Sequence, residues 1–407
     1  MSASTTFSPL AHRAFLLILA GSLLANFGNQ IQAVGAAWLL TANGAPADVV
    51  ALVQTATNLP IMLLALPAGA WSDRVARRSM ILAALAVMLV LSVVLAVLDA
   101  TGHAPAAAIV ALTALLACGI ACFSPAMAGS IGGVVPRAEL ASAVALNLVG
   151  FNLARSLGPA IGGVIVAIGG AATAFAVNAL SYLVAIGLFW RWRGVPAPPR
   201  EQRRPLPAMI AEGVRYAVGS PAIRTIMLRS FTFTATGAAA WALMPLVSAE
   251  LLHEGSAVYG LLLGALGLGA VVGAATSTAL RRRFSAEAIV RAAGVTYGLA
   301  CVLVALTPGL LPTLLLLVVA GAGWVQALSG FTVAGQLWAP RELVGRITAT
   351  VNSLTFGGIA LGAWLWGHFA ENYGLATALL ASGGAMIVLP LLGLLLPMPA
   401  HEAPELG

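Results

Sequence analysis

The chain has no lysine and little charge of any kind. All twenty of its cationic residues are arginine, thirteen are Asp or Glu, and charged side chains are 8% of the 407 residues. With 60% apolar residues and a mean hydropathy of +0.98, too little polar surface remains to clothe a soluble globule. Cysteine is almost missing too. Cys118, Cys122 and Cys301 all fall inside apolar stretches. Cys118 and Cys122 stand four apart on one helix, which suits neighbouring side chains but not disulfide geometry. The sequence holds no phosphate-binding glycine loop, no Cys/His cluster and no nucleophile motif in its required setting, so no enzyme is expected and ATP-driven pumping is excluded within this chain. No cofactor and no metal are expected.

What fills the chain is long apolar runs. Twelve lie at about 14–40, 47–69, 79–98, 106–128, 140–168, 171–190, 223–250, 258–280, 286–307, 311–335, 345–370 and 374–397, each near the twenty residues that cross a bilayer as a helix. Here they are spans 1 to 12. The first is not a cleavable signal, because it is too long and Asn26, Asn29, Gln30 and Gln32 interrupt its core. Nineteen arginines lie in or beside alternate loops. Arginine in short loops is held on the cytoplasmic side, so those loops and both termini are expected there, in a multi-pass protein of a bacterial inner membrane. The net charge of +7 follows from that rule; no nucleic-acid partner is read from it. The expected partners are a small-molecule substrate and the bilayer, with the chain acting as a monomer.

The central stretch 191–222 is the most hydrophilic, with Arg191, Arg193, Pro196, Pro198, Pro199, Arg200, Arg203, Arg204, Pro205 and Pro207. It reads as a cytoplasmic linker carrying a short interfacial helix over 208–218. Either side, landmarks repeat: Arg77-Arg78 and Arg282-Arg283, Pro136-Arg137 and Pro340-Arg341, Asn147 and Asn352, all at offsets of 204 or 205. That spacing suggests a duplicated six-span unit, with an N-terminal bundle over 1–190 and a C-terminal bundle over 223–407. Parallel halves of this kind put a substrate site near the membrane midplane, between them.

The loop after span 2 reads Gly69-Ala70-Trp71-Ser72-Asp73-Arg74-Val75-Ala76-Arg77-Arg78. A carboxylate among cations can pair with an arginine or a helix N-terminus on a neighbouring span, forming a conformational latch from Gly69, Asp73, Arg74, Arg77 and Arg78. The segment resembles the loop signature of the major facilitator superfamily, with Ala76 where the signature has glycine. The second-half loop, Arg281-Arg282-Arg283, keeps the cations without the acid. The strings Val135-Pro136-Arg137-Ala138-Glu139-Leu140, Phe151 to Pro159, Gly213-Val214-Arg215-Tyr216 and Tyr259 to Ala265 narrow the resemblance to the group of enterobactin exporters and macrolide efflux proteins. The resemblance implies an all-α polytopic fold of twelve transmembrane helices in two pseudo-symmetric six-helix bundles, the major facilitator fold, exporting small molecules by alternating access. In span 5, Gly158-Pro159-Ala160-Ile161-Gly162-Gly163 combines a helix-bending proline with glycines that admit a close neighbour. It resembles the core of the superfamily's antiporter motif, with Ala154 replacing an upstream glycine, and implies export.

One arginine breaks the loop pattern. Arg155 lies about 14 residues into span 5, about 21 Å along the helix at 1.5 Å per residue. A guanidinium at that depth costs about 2.5 kcal/mol or more and must face water, a partner or a ligand. Asn152 precedes it by three and shares its face. Arg155 and Asn152, with Asn26, Asn29 and Gln30 of span 1, Gln54 and Asn58 of span 2, Asn147 of span 5, Gln326 of span 10 and Asn352 of span 11, are the expected cavity residues. Trp241 and Phe231 are available to stack a flat substrate. No Asp or Glu stands mid-span, and Asn29 occupies the place where relatives often carry an acid, which puts proton antiport in doubt. The expected function is a secondary exporter of a siderophore-like or drug-like molecule. The alternatives are a lipid or lysolipid translocator and a non-transporting membrane sensor on the same scaffold.

Overall fold

A computed structural model of the chain describes residues 7–72, 74–194, 206–307, 309–340 and 342–399. Among these residues there is no strand; every regular element is helical. Spans 1 to 4 are the helices Arg13–Ala42, Ala47–Ser72, Arg77–Ala100 and Ala106–Ile131. Spans 5 and 6 share one continuous helix, Leu140–Arg191, whose direction breaks at Gly170, with φ 76 and ψ 178. That dihedral pair is open to glycine and strained for any side chain, so a single residue does the work of a loop. Span 7 runs over Pro221–Ala242 and, after a break at Leu243, continues through Met244–Leu246 into a π-helical turn, Val247–Leu251. Spans 8 to 11 are Ser256–Arg283, Ala286–Leu306, Leu310–Trp338 and Val344–Tyr373; span 12 is Leu375–Val388, prolonged by short turns to Leu395. The linker contributes one helix, Leu206–Gly219.

Ten helical stretches are both long and apolar enough to cross a membrane. One of them, Arg137–Arg191, holds two spans. Val344–Tyr373 has the length, at 30 residues. It is more polar than the rest because Arg346, Thr348, Thr350, Asn352, Ser353 and Thr355 crowd its first half. These helices are apolar on every side, as lipid replaces water around them, so no hydrophobic drive pulls one against another. Close packing of small residues does that work. A Cβ on Gly273 would lie 3.0 Å from Ala322 Cα, and one on Gly298 would lie 3.0 Å from Ile387 N.

Spans 1 to 6 pack into one bundle and spans 7 to 12 into another. The core of the first is pinned by a buried polar triad in which the Gln32 amide oxygen accepts from Ser92 Oγ at 2.7 Å and from Asn178 Nδ2, joining spans 1, 3 and 6. In the second, Tyr297 donates to the Gly237 carbonyl at 2.7 Å within a cluster of Phe233, Trp324 and Phe331. Arg229, counted with the loop arginines by position, is only 5% exposed. It donates to Glu287, whose carboxylate also takes Arg291 Nε at 2.6 Å and Met398 N at 2.8 Å. This clasp ties spans 7 and 9 to the chain after span 12.

The bundles meet along two helix pairs, span 2 on span 11 and span 5 on span 8. The pairs are counterparts under the internal repeat. Gly163 of span 5 and Gly367 of span 11 stand 204 apart, and their opposite numbers Ala51 of span 2 and Ser256 of span 8 stand 205 apart.

Candidate functional site

The functional geometry starts from where those two pairs touch. In the first, Glu371 at the end of span 11 accepts a hydrogen bond from Ala47 N, the first amide of span 2, at 2.6 Å. A carboxylate there satisfies an orphan helix N–H and sits at the positive end of the helix dipole. Gly367 lies against Ala51 and Asp48, Thr55 Oγ1 donates to the Ala360 carbonyl at 2.8 Å, and Gly357 lies against Met62. In the second pair, Gly163 and Gly260 pass so closely that a Cβ on either would lie 2.8 Å from the other's Cα, and a Cβ on Gly267 would lie 3.1 Å from the Arg155 carbonyl. Trp38 of span 1 stacks on Tyr259 of span 8 at 6.2 Å.

All of these contacts lie between mid-span and the end opposite the arginine loops, hereafter the far end. The same helix faces part toward the arginine loops. Val149, seven residues before Ser156 on span 5, is 63% exposed, and Val271, one turn beyond Gly267 on span 8, is 41% exposed. Between spans 5 and 8 this leaves a cleft, hereafter the gap, closed at the far end and uncovered at the arginine end.

The span 5 hexapeptide forms the seal. A Cβ on Gly158 would lie 2.7 Å from Gln30 Cβ, and one on Gly162 would lie 2.9 Å from Ile31 Cα, so span 1 presses one side of the helix while Gly163 meets span 8 on the other. The helix passes through Pro159 with helical dihedrals, and its non-helical residue is Gly170, at the expected boundary of spans 5 and 6. Proline at 159 removes the amide that would bond the carbonyl four residues earlier. That carbonyl is Arg155's, and it is the one facing Gly267.

Arg155 thus sits immediately below the seal. Its guanidinium carbon lies 5.5 Å from the ring centroid of Trp241 on span 7, in the other bundle. Trp241 in turn lies 6.2 Å from Trp324. Among the described residues no acceptor meets the Arg155 guanidinium, and the buried Trp241 Nε1 has no hydrogen-bond partner.

The other expected cavity residues are placed unevenly. Asn26 bonds back to the Ser22 carbonyl at 2.8 Å, Asn58 to that of Gln54 at 2.7 Å, and Asn152 to that of Leu148 at 2.9 Å. Asn58 also reaches the Gln54 side chain at 3.3 Å and is a correction: at 7% exposure it is packed within the fold and not open to the gap. Gln30 is partly exposed and packs on Gly158, one turn from Arg155. Asn147 and Asn352 occupy matching positions near the starts of spans 5 and 11, both partly exposed. Asn29 accepts from the buried Tyr182 hydroxyl, which ties it into the first bundle. Gln326 is a second correction: at 5% exposure it is wedged between spans 8 and 10, its amide given to the Gly273 carbonyl at 2.7 Å and Thr276 Oγ1 at 3.1 Å. Burial among glycines claims it for packing, not for the gap.

Of the expected latch, Asp73 lies outside the described residues. Arg77 donates to the Gly129 carbonyl at the end of span 4, and Arg78 to those of Phe189 and Trp190 at the end of span 6, at 3.2 and 2.7 Å. Both arginines therefore meet the negative ends of helices inside their own bundle. Gly69 has open space around it. At the arginine end, the linker helix reaches span 11, where Arg346 Nη1 donates to Glu212 at 2.6 Å. The cross-bundle contacts of Glu371, Thr55, Gly260 and Gly267 have no signature in local sequence. Only the repeat offset links Ser256 to Ala51.

Twelve spans in two bundles that meet along two symmetry-related pairs define a transporter of the major facilitator type. Comparison with known proteins narrows this. The profile of the transmembrane secretion effector family matches residues 4–406. The multidrug efflux pump Tap of Mycolicibacterium fortuitum is 30% identical over 400 residues, covering 94% of this chain and 95% of its own. The enterobactin exporter EntS of Citrobacter koseri is 29% identical over 276 residues, 67% of this chain and 64% of its own. Among solved structures, a bacterial homologue of the human lysosomal transporter Spinster, inward-facing and unoccupied, has a TM-score of 0.71 at 16% identity, over 94% of this chain and 95% of that one. A POT family transporter in complex with 5-aminolevulinic acid has a TM-score of 0.76 at 12% identity, over 94% and 96%. At such identities the likeness shows the fold alone. The chain belongs to the transmembrane secretion effector family; it is a multi-pass efflux-type transporter of the major facilitator superfamily and not an enzyme.

Proposed function

We propose that this chain is a secondary exporter of a bacterial inner membrane, moving a siderophore-like or drug-like small molecule out of the cytoplasm by alternating access. The single observation that carries the reading is the one-sided seal. Both symmetry-related helix pairs are in contact from mid-span to the far end, and the span 5 and span 8 pair is uncovered toward the arginine loops. The positive-inside rule puts those loops, and both termini, in the cytoplasm. The seal then faces outward and the gap faces the cytoplasm, ready to load. Rocking of a bundle over 1–190 against a bundle over 223–407, joined by the linker 191–222, would break the seal and close the gap. A single copy holds both bundles, so a monomer suffices.

The gap is lined, in this reading, by Arg155 at its ceiling with Gln30, Asn26, Gln54, Asn152, Asn147 and Asn352. The names of the relatives Tap and EntS support the substrate classes. The span 5 hexapeptide supports antiport. With no carboxylate mid-span, exchange against protons would use groups near the far end or the charge of the substrate. Deletion and complemented strains, grown with and without iron, test the function. The expected result is a metabolite lost from the deletion supernatant and built up in its cells, or ethidium retained by its cells. Identical supernatants together with identical ethidium retention would overturn the export reading.

A further inference from the structure

Arg155 is placed where an arginine is expensive, at mid-span, and nothing among the described residues offers its N–H groups an acceptor. Its guanidinium lies over the Trp241 ring, 5.5 Å from the centroid. A cation–π contact uses none of the five N–H donors that the guanidinium carries in a rigid fork. On the same contact, the indole N–H of Trp241 is a buried donor without a partner. Buried polar groups are ordinarily paired, and an unpaired indole N–H at an unpaired guanidinium suits an acceptor group. No Asp or Glu stands mid-span to supply it. The acceptor is left to water or to a ligand that enters the gap.

We infer that Arg155 and Trp241 form an oxyanion site, and that the transported molecule carries a carboxylate or an equivalent acidic oxygen group which they hold. This rests on the exporter reading and names its substrate chemistry. A carboxylate matches the guanidinium edge in a two-bond geometry that a neutral amide or an amine does not. The site is also split between the bundles: Arg155 is on span 5, Trp241 on span 7. It lies directly under the seal formed by Gly163 and Gly260. Rocking the bundles apart at the far end would draw Trp241 off Arg155, dismantling the site as the exit opens. A ligand shifts a conformational equilibrium only through its differential affinity for the two states. Holding the oxyanion tightly when the gap faces the cytoplasm, and weakly when it faces outward, is the differential an exporter needs.

The test uses full-length protein in lipid nanodiscs, titrated calorimetrically with 2-naphthoate and with neutral 2-naphthamide, with empty nanodiscs subtracted. Wild type is expected to prefer naphthoate by about tenfold or more, the scale of one charge-assisted hydrogen bond. Arg155→Gln should erase the preference while keeping naphthamide binding. Trp241→Phe, which keeps a ring and removes the N–H, should weaken naphthoate alone. Equal binding of the two probes by wild type, no binding of either, or a preference that survives Arg155→Gln would overturn the site. Should Arg155→Gln fail to fold, Arg155→Lys and Trp241→Phe decide: both retaining the full preference also overturns it. Ethidium efflux by the same wild-type protein in vesicles is measured separately. Its absence would count against the exporter reading, and its presence without an oxyanion preference against this site alone.

Discussion

At the scale of single residues, polar groups in this protein divide into those fastened inside a bundle and those left open between bundles. The triad of Gln32, Ser92 and Asn178 belongs to the first kind. Asn178→Ala should lower stability by about 1–3 kcal/mol, the penalty for leaving a buried amide oxygen under-satisfied, seen as earlier thermal unfolding in detergent. Uptake and release of substrate by folded protein should change little. Arg155 belongs to the second kind, and its singularity was legible: it is the one arginine outside the loop pattern. Its contact with Trp241 was not, because that contact joins residues 86 positions apart on different bundles. Gln326 shows the opposite failure. An amide mid-span reads as a cavity residue, yet Gly269 and Gly273 let spans 8 and 10 approach closely enough to bury it. Glu371 was counted with the loop acids by position; only tertiary structure brings it to the first amide of span 2.

At the scale of helices, glycines decide which surfaces close. Hydropathy located the spans well, since length and apolarity are set by the bilayer, and the boundary between spans 5 and 6 fell at the right place. What it could not give was the single-residue turn. Gly170→Ala meets no steric neighbour, so its effect should be the dihedral penalty alone, about 1–3 kcal/mol of stability, measurable by thermal unfolding. The break in span 7 at Leu243 was equally hidden inside a continuous apolar run. Gly163 is a different matter. A Cβ there collides with the backbone of Ser256 and Gly260, so even Gly163→Ala must spread spans 5 and 8. In a cysteine-free background carrying Ser256→Cys, this change should speed labelling by an impermeant maleimide added from outside; unchanged labelling would mean the seal is not made there.

At the scale of the whole molecule, the seal is a two-fold device, and its halves need not be equally strong. The span 5 and span 8 pair closes through backbone contact, whereas the span 2 and span 11 pair adds a carboxylate on a helix N-terminus. A charge so placed is worth about 0.3–1 kcal/mol. Glu371→Ala should therefore shift the ratio of closed to open far ends by roughly two- to fivefold toward open, seen in the distance populations between labels at Asn43 and Tyr373. The duplication that builds this symmetry was visible in three landmark pairs, but its function was not, because hydropathy is blind to which faces touch and where along their length. Alternating access is the central claim, and paired distances test it most directly. One spin-label pair, Asn43 with Tyr373, reports the far end; another, Ala141 with Phe284, reports the arginine end. Substitution of Gly163 by Ala should lengthen the first distance while shortening the second. If the two distances move together, or only one moves, the bundles do not rock about a central site and the account fails.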